Sequence, residues 1–170
     1  GNGRLLRYTI AGDNWTPSGE IVLPQLPFPI RVDVNSKGEI FALDGKSRRI
    51  GRVAASGDFL GYVVPVGAAQ GAVVPRSFRI DRNDNLYLLD VLSARVLVMD
   101  PSGKIQREIP FPKEYGFFSD LAVDPGGSIL LLDSVRKRVF KVAKNSPNAA
   151  PLTENLKEEA YFPTAIATDK

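Results

Sequence analysis

The sequence predicts an all-β chain of repeated four-stranded antiparallel sheets, and three observations carry that prediction. First, one block of about 46 residues is written three times and begun a fourth time, with Pro29, Pro75, Phe118 and Pro163 in register. Second, each copy divides into four short apolar stretches separated by turn residues, the grammar of successive strands. Third, no stretch carries sustained helical periodicity, apart from a polar segment at residues 151–160 that is too hydrophilic to bury a face. A repeated unit that cannot bury its own apolar face must stack on its neighbours. Four-stranded units at a period of roughly 40–50 residues describe a β-propeller.

The second copy shows the element logic. In Ser77–Ile80, Phe78 and Ile80 alternate with Ser77 and Arg79, the period-two pattern of a half-buried strand. Asp81–Asn85 is a turn rich in residues that tolerate left-handed backbone. Leu86–Leu89 is an unbroken apolar run, expected of a strand covered on both faces. After the loop Asp90–Arg95 come Val96–Met99 as a third strand, the turn Asp100–Gly103, and a fourth strand from Lys104 to Ile109. The other copies keep the pattern: Lys37-Gly38 and Gly126-Gly127 turn the first hairpin, and Ser56-Gly57 occupies the slot of Ser102-Gly103. Prolines gather between copies, where the chain leaves one sheet for the next. The expected blades are residues 29–65, 75–111 and 118–154, with residues 161–170 as the first strand of another.

The succession of proline, an apolar-alternating strand ending in Asp, a tight turn, an apolar strand ending in Asp, and Arg-Val resembles the NHL-repeat family of β-propellers. FRIDRNDNLYLLDVLSARVLVMDPSG at residues 78–103 carries the likeness most fully, and residues 121–142 nearly as fully. Residues 29–60 form a weaker copy, with Gly45 after the strand-ending Asp. On this resemblance residues 1–25 hold the last two strands of a preceding blade, with Arg4-Leu5-Leu6 in the slot of Arg95-Val96-Leu97 and Ala11–Ser18 as an enlarged turn. The resemblance implies a six-bladed ring, so the chain reads as about three whole blades and two partial ones from a larger propeller. It also implies an exported, bacterial-type protein, periplasmic or secreted.

Composition removes several chemistries. The 170 residues contain no cysteine and no histidine, which excludes thiolate nucleophiles, disulfides and imidazole bases or metal ligands within them. No apolar run approaches the roughly 18 residues that span a bilayer. The net charge of +3 is balanced between 22 cations and 19 anions. No phosphate-binding loop, nucleophile elbow or dinucleotide fingerprint is present. Asp81-x-Asn83-x-Asn85 has the opening spacing of a calcium loop but lacks the glycine and distal glutamate, so it reads as a hairpin turn. No catalytic, cofactor or metal residue is assigned.

Two sets of charges remain. Asp44/Arg49, Asp90/Arg95 and Asp133/Arg138 recur in every copy across the loop between second and third strands, and read as ion pairs that fix the hairpins. The first strands should line the axis, presenting Arg31, Ser77, Asp120 and Ala165 in one ring and Asp33, Arg79, Ala122 and Ala167 in the next. Their charges either pair with one another or bind a polar ligand. Lys46, Arg48, Arg49, Arg136, Lys137 and Arg138, with Arg76 and Lys113, form a cationic rim. Phe117, Phe118 and Tyr161 are expected to close the core between blades. The favoured function is a non-enzymatic scaffold whose rim loops bind a protein or surface polymer, self-association included. Single-stranded RNA binding by the Arg/Lys rim is the alternative. Relatives also include a zinc-dependent amidating lyase and calcium-dependent lactonases, so a metal-dependent enzyme with its site in other blades is the third reading.

Overall fold

The computed structural model describes residues 3–67, 71–112, 115, 117–153, 156 and 162–169. The chain divides into two compact units, residues 1–63 and residues 64–170. Each is built from consecutive antiparallel hairpins.

In the first unit, β1 (Arg4–Ala11) and β2 (Asn14–Val22) form a two-stranded sheet. β3 (Pro29–Val34), β4 (Ile40–Asp44), β5 (Ile50–Val53) and β6 (Phe59–Tyr62) follow as a four-stranded meander in sequence order. The expected enlarged turn at Ala11–Ser18 is absent. Ala11 pairs with Asn14, so only Gly12 and Asp13 make the turn and β2 begins at once. Gly12, at φ 59°, supplies the left-handed backbone that a two-residue hairpin demands. The core of this unit comprises Ile21, Leu23, Leu26, Ile40, Ala42 and Val53. On the other side of the meander Ile30, Val32 and Val34 are each half-exposed, so the apolar stripe of β3 is left uncovered within its own unit.

The second unit holds two complete blades. β7 (Pro75–Ile80), β8 (Leu86–Asp90), β9 (Arg95–Met99) and β10 (Ile105–Pro110) make one sheet. β11 (Phe118–Val123), β12 (Ile129–Asp133), β13 (Arg138–Val142) and β14 (Ala150–Thr153) make the other. Every residue of β8 and β9 is buried, as their unbroken apolar sequence requires. The two sheets share a core in which Phe118 meets Phe111 at 4.7 Å and Phe140 at 5.2 Å between ring centroids, both edge-to-face. β7 and β11, the first strands, run side by side.

All three first strands carry a register shift at the same place, after Pro29, Pro75 and Phe118. A bulge there inserts one residue and re-aims its side chain. The re-aimed residues are Ile30, Arg76 and Ser119. Residues 162–169, expected as a further first strand, join no sheet among the described residues. They lie instead against β11, where Ile166 N–H donates to Asp120 Oδ2 and Thr168 Oγ1 to the Val123 carbonyl. No helix among the described residues is long and apolar enough to cross a membrane.

Candidate functional site at the hairpin rim and inner strands

The three Asp/Arg pairs share a backbone but not a fate. In each loop between second and third strands the aspartate is buried and accepts loop N–H groups. Asp44 Oδ1 takes those of Lys46 and Ser47, Asp90 Oδ1 those of Leu92 and Ser93, and Asp133 Oδ1 those of Val135 and Arg136. The residue before the arginine (Arg48, Ala94 or Lys137) adopts the left-handed region at φ 57°, 50° and 55°. That conformation closes the loop and costs a non-glycine residue about 1–2 kcal/mol.

The expected ion pair forms in one copy. Arg95 Nε donates to Asp90 Oδ2 at 3.0 Å and its Nη1 to Glu108 at 2.9 Å. Arg49 instead lies over the Tyr62 ring, 3.4 Å from its centroid, and Asp44 Oδ2 accepts the Phe28 N–H. Arg138 is exposed, and among the described residues the buried Asp133 Oδ2 has no hydrogen-bond partner. Register explains the divergence. Glu108, Tyr62 and Pro151 occupy one equivalent position on the fourth strand, each opposite the residue two beyond the arginine. A carboxylate there draws the guanidinium to a second acid, a phenol ring stacks on it, and a proline side chain offers nothing polar. Sequence repetition hid this, because the deciding residue is the one that does not repeat.

Burial alone would push the Asp44 carboxyl up. The N–H groups of Ser47, Phe28 and Lys46 outweigh it and hold the group below its ordinary value. Tyr87 is the opposite case. Burial, then the Asp81 carboxylate that its hydroxyl meets at 3.2 Å, pushes its phenol up to about 12. Both oxygens of Asp81 serve its own turn and this tyrosine, since Oδ1 accepts from Asn83 and Asn85 and Oδ2 from the Asn85 amide.

On the inner strands of the second unit, Asp120 is the hub. It is fully buried, and its Oδ1 accepts from Ser77 Oγ at 2.6 Å and Leu121 N at 2.9 Å. Its Oδ2 accepts from Ile166 N at 3.0 Å, with Arg79 Nη2 at 3.6 Å. Arg79 also donates to the carbonyls of Phe78 and Ile166. One carboxylate thus ties β7, β11 and the segment beyond β14 together. In the first unit Arg31 and Asp33 alternate with the exposed stripe of β3, half-buried themselves. Among the described residues no three acidic side chains converge as a metal site would require.

The rim of the second unit gathers different chemistry. Leu92 and Val135 crown the two hairpin loops at equivalent positions, and Val135 is 73% exposed. Phe118 closes the core as expected, but Phe117 does not. It is half-exposed, with the Arg76 guanidinium 5.5 Å above its ring. The Ser119 and Ser134 hydroxyls touch, and Ser134 donates to the Pro163 carbonyl, which sets Phe162, 79% exposed, beside the loop of Val135. Arg136 is exposed at the tip and Lys137 half-buried beside it. In the first unit Lys46 and Arg49 are exposed in the corresponding loop, and Arg48 is half-buried. Gly45 is required there, because an added Cβ would lie 2.8 Å from Cγ2 of the bulged Ile30. Lys113 and Tyr161 lie outside the described residues.

No protein-family model and no curated protein sequence matches this chain. Solved structures do. Virginiamycin B lyase from Staphylococcus aureus is 16% identical with a TM-score of 0.68, over 98% of this chain and 53% of the lyase. A catalytically inactive histidine-to-alanine variant of that lyase, solved with quinupristin, is 17% identical with a TM-score of 0.66, over 91% and 50%. A chain of a nidogen/laminin complex is 18% identical with a TM-score of 0.66, over 92% of this chain and 58% of its own length. These are β-propellers, and the fold of this chain is that of a β-propeller. The chain spans about half the length of the lyases it resembles.

Proposed function

We propose that this chain is a non-catalytic interaction module whose hairpin rim binds a protein or a surface polymer outside the cytoplasm. The observation that carries the reading is a division of labour in the second unit. The conspicuous charges of its inner strands, Asp120 and Arg79, bond to the scaffold, while Leu92, Val135, Phe117 and Phe162 stand exposed at the rim. A cleft prepared for catalysis would hold perturbed acids and bases free to meet substrate. Exposed apolar loop tips on a rigid sheet scaffold suit recognition instead.

The likeness to the lyase does not favour its chemistry here. A histidine-to-alanine change abolishes that enzyme's activity, and these 170 residues contain no histidine. The neighbour in the nidogen/laminin complex is one instance of the fold in a protein assembly. The NHL-type motifs support assigning the blades to that repeat class. The half-exposed stripe Ile30, Val32 and Val34 supports a further blade packing on β3, in a ring of about six.

The test is site-specific photocross-linking in extracts and on cell surfaces, with a photoreactive residue at Val135 and a control at Ser102 in the opposite turn. Adducts from Val135 and not from Ser102 are expected. A chain that yields no rim adduct but turns over a substrate would overturn the module reading.

A further inference from the structure

We propose that the open edge of β1 takes an extended partner strand, a short apolar run ending in aspartate, laid antiparallel with that aspartate opposite Arg4. This surface lies in the first unit and is independent of the rim. Among the described residues β1 pairs only with β2, whereas β5, β9 and β13 each carry a neighbour on both edges. Yet β1 has the marks of those third strands. Gly3, at φ 59°, repeats the left-handed residue that stands before Arg49, Arg95 and Arg138. Its carbonyl accepts the Leu23 N–H from beyond β2, as the Ala94 and Lys137 carbonyls accept those of Phe111 and Leu156. Glu20 stands opposite Leu6, two beyond Arg4, the place that Glu108 holds relative to Arg95.

Arg4 meets Glu20 at 3.2 Å, which reproduces half of the bridge that Arg95 makes between Asp90 and Glu108. The other half of that bridge comes from the second strand. All three second strands, Ile40–Asp44, Leu86–Asp90 and Ile129–Asp133, are apolar runs closed by an aspartate. A strand of that kind on β1 sets its aspartate opposite Arg4, as Asp90 stands opposite Arg95, and apolar residues opposite Leu5, Leu6 and Tyr8. Leu5 packs on the core of the first unit while Leu6, Tyr8 and Ile10 are half-exposed, so both faces of the incoming strand find apolar neighbours.

An unpaired edge is a template for such addition, its N–H and C=O groups giving affinity and its side chains selectivity. Proline blunts the edge strands β2, β10 and β14, at Pro17, Pro110 and Pro151, but β1 has none. A second copy fits less well. Its own second strands are paired on both edges, and β1 laid antiparallel on β1 brings no acid to Arg4.

The experiment is fluorescence anisotropy on the whole chain with a labelled peptide carrying Leu-Tyr-Leu-Leu-Asp, the run of residues 86–90, between polar spacers. Two comparators carry N-methyl groups, one along the edge that would face β1 and one along the opposite edge. A third replaces the aspartate with lysine. Methylation of the facing edge should weaken binding ~10-fold or more by removing the ladder donors, and methylation of the other edge should leave it unchanged. The lysine peptide should bind ~10-fold more weakly than the parent peptide, and Arg4→Glu should reverse that preference. Hydrogen exchange should slow at alternate N–H groups of β1 when the parent peptide is added, and at no other edge strand.

No binding, binding indifferent to the methylated edge, or a charge preference that Arg4→Glu fails to reverse overturns the proposal. So does a chain that dimerises through β1 and excludes the peptide, which would make a second copy the occupant. A negative titration here leaves the rim adducts from Val135 and the module reading intact, and a negative cross-link leaves strand addition at β1 intact.

Discussion

The hairpins β8–β9 and β12–β13 have the same backbone, the same buried aspartate and the same arginine, yet their electrostatics differ. In the first, Arg95 is interior, bridging Asp90 and Glu108. In the second, Arg138 is exposed and Asp133 keeps an oxygen without a partner among the described residues. Neither residue of the pair accounts for the difference. The fourth strand does, through Glu108 in one blade and Pro151 in the other. A repeated pair is therefore a capacity for an ion pair, and its neighbour decides whether the capacity is used.

The sharpest way to break the comparison is to remove each aspartate. Asp90→Ala removes one of the two carboxylates that hold the buried Arg95, together with the loop hydrogen bonds, and should cost about 3–5 kcal/mol. Asp133→Ala gives up loop hydrogen bonds alone and should cost about 1–2 kcal/mol. Urea unfolding measures both, and equal costs would show that Arg95 contributes nothing its counterpart lacks. Next comes Glu108→Leu, which takes the second acid from Arg95, as the second hairpin lacks one, and should cost about 1–3 kcal/mol.

Acid sharpens the comparison from the first copy. Asp44 titrates below its ordinary value of 3.8 because N–H donors outweigh burial. A carboxyl lowered by folding stabilises fully above its unfolded value and loses that contribution as pH falls through its folded one. Stability measured by urea between about pH 5 and 2 should therefore fall below roughly pH 4, and Asp44→Asn should flatten that fall. The reverse graft, Pro151→Glu, should draw Arg138 inward for a gain of about 0.2–1 kcal/mol, since the pair stays partly exposed. The smallest effect belongs to the left-handed loop residue. Ala94→Gly relieves its backbone but loosens the unfolded chain, leaving a net gain of a few tenths of a kcal/mol in thermal unfolding.

Much of this was legible in the chain. The strands, their order and the turn glycines follow from period-two alternation and the repeat register, because each blade obeys the same local rules. Misreadings arose where tertiary neighbours decide. Ala11–Ser18 reads as a loop because Pro17 and Gly19 interrupt it, yet β2 runs through them past a register shift at Arg7/Tyr8. Residues 162–169 spell a first strand, yet they lie against β11 through Asp120 and the Val123 carbonyl and join no sheet among the described residues. Phe117 and Phe118 look alike in sequence, and only the bulge after Phe118, which sets Ser119 apart, fixes which ring enters the core. The site was harder still. Alignment highlights what recurs, whereas the exposed tips Leu92 and Val135 sit where copies vary.

The place occupied by Tyr62, Glu108 and Pro151 gives the repeat an economical way to diversify. A single codon change on an outer strand withdraws a positive charge from the surface or releases one, without touching the loop that carries it. A lineage of such blades could redraw its surface charge copy by copy while every hairpin kept its shape.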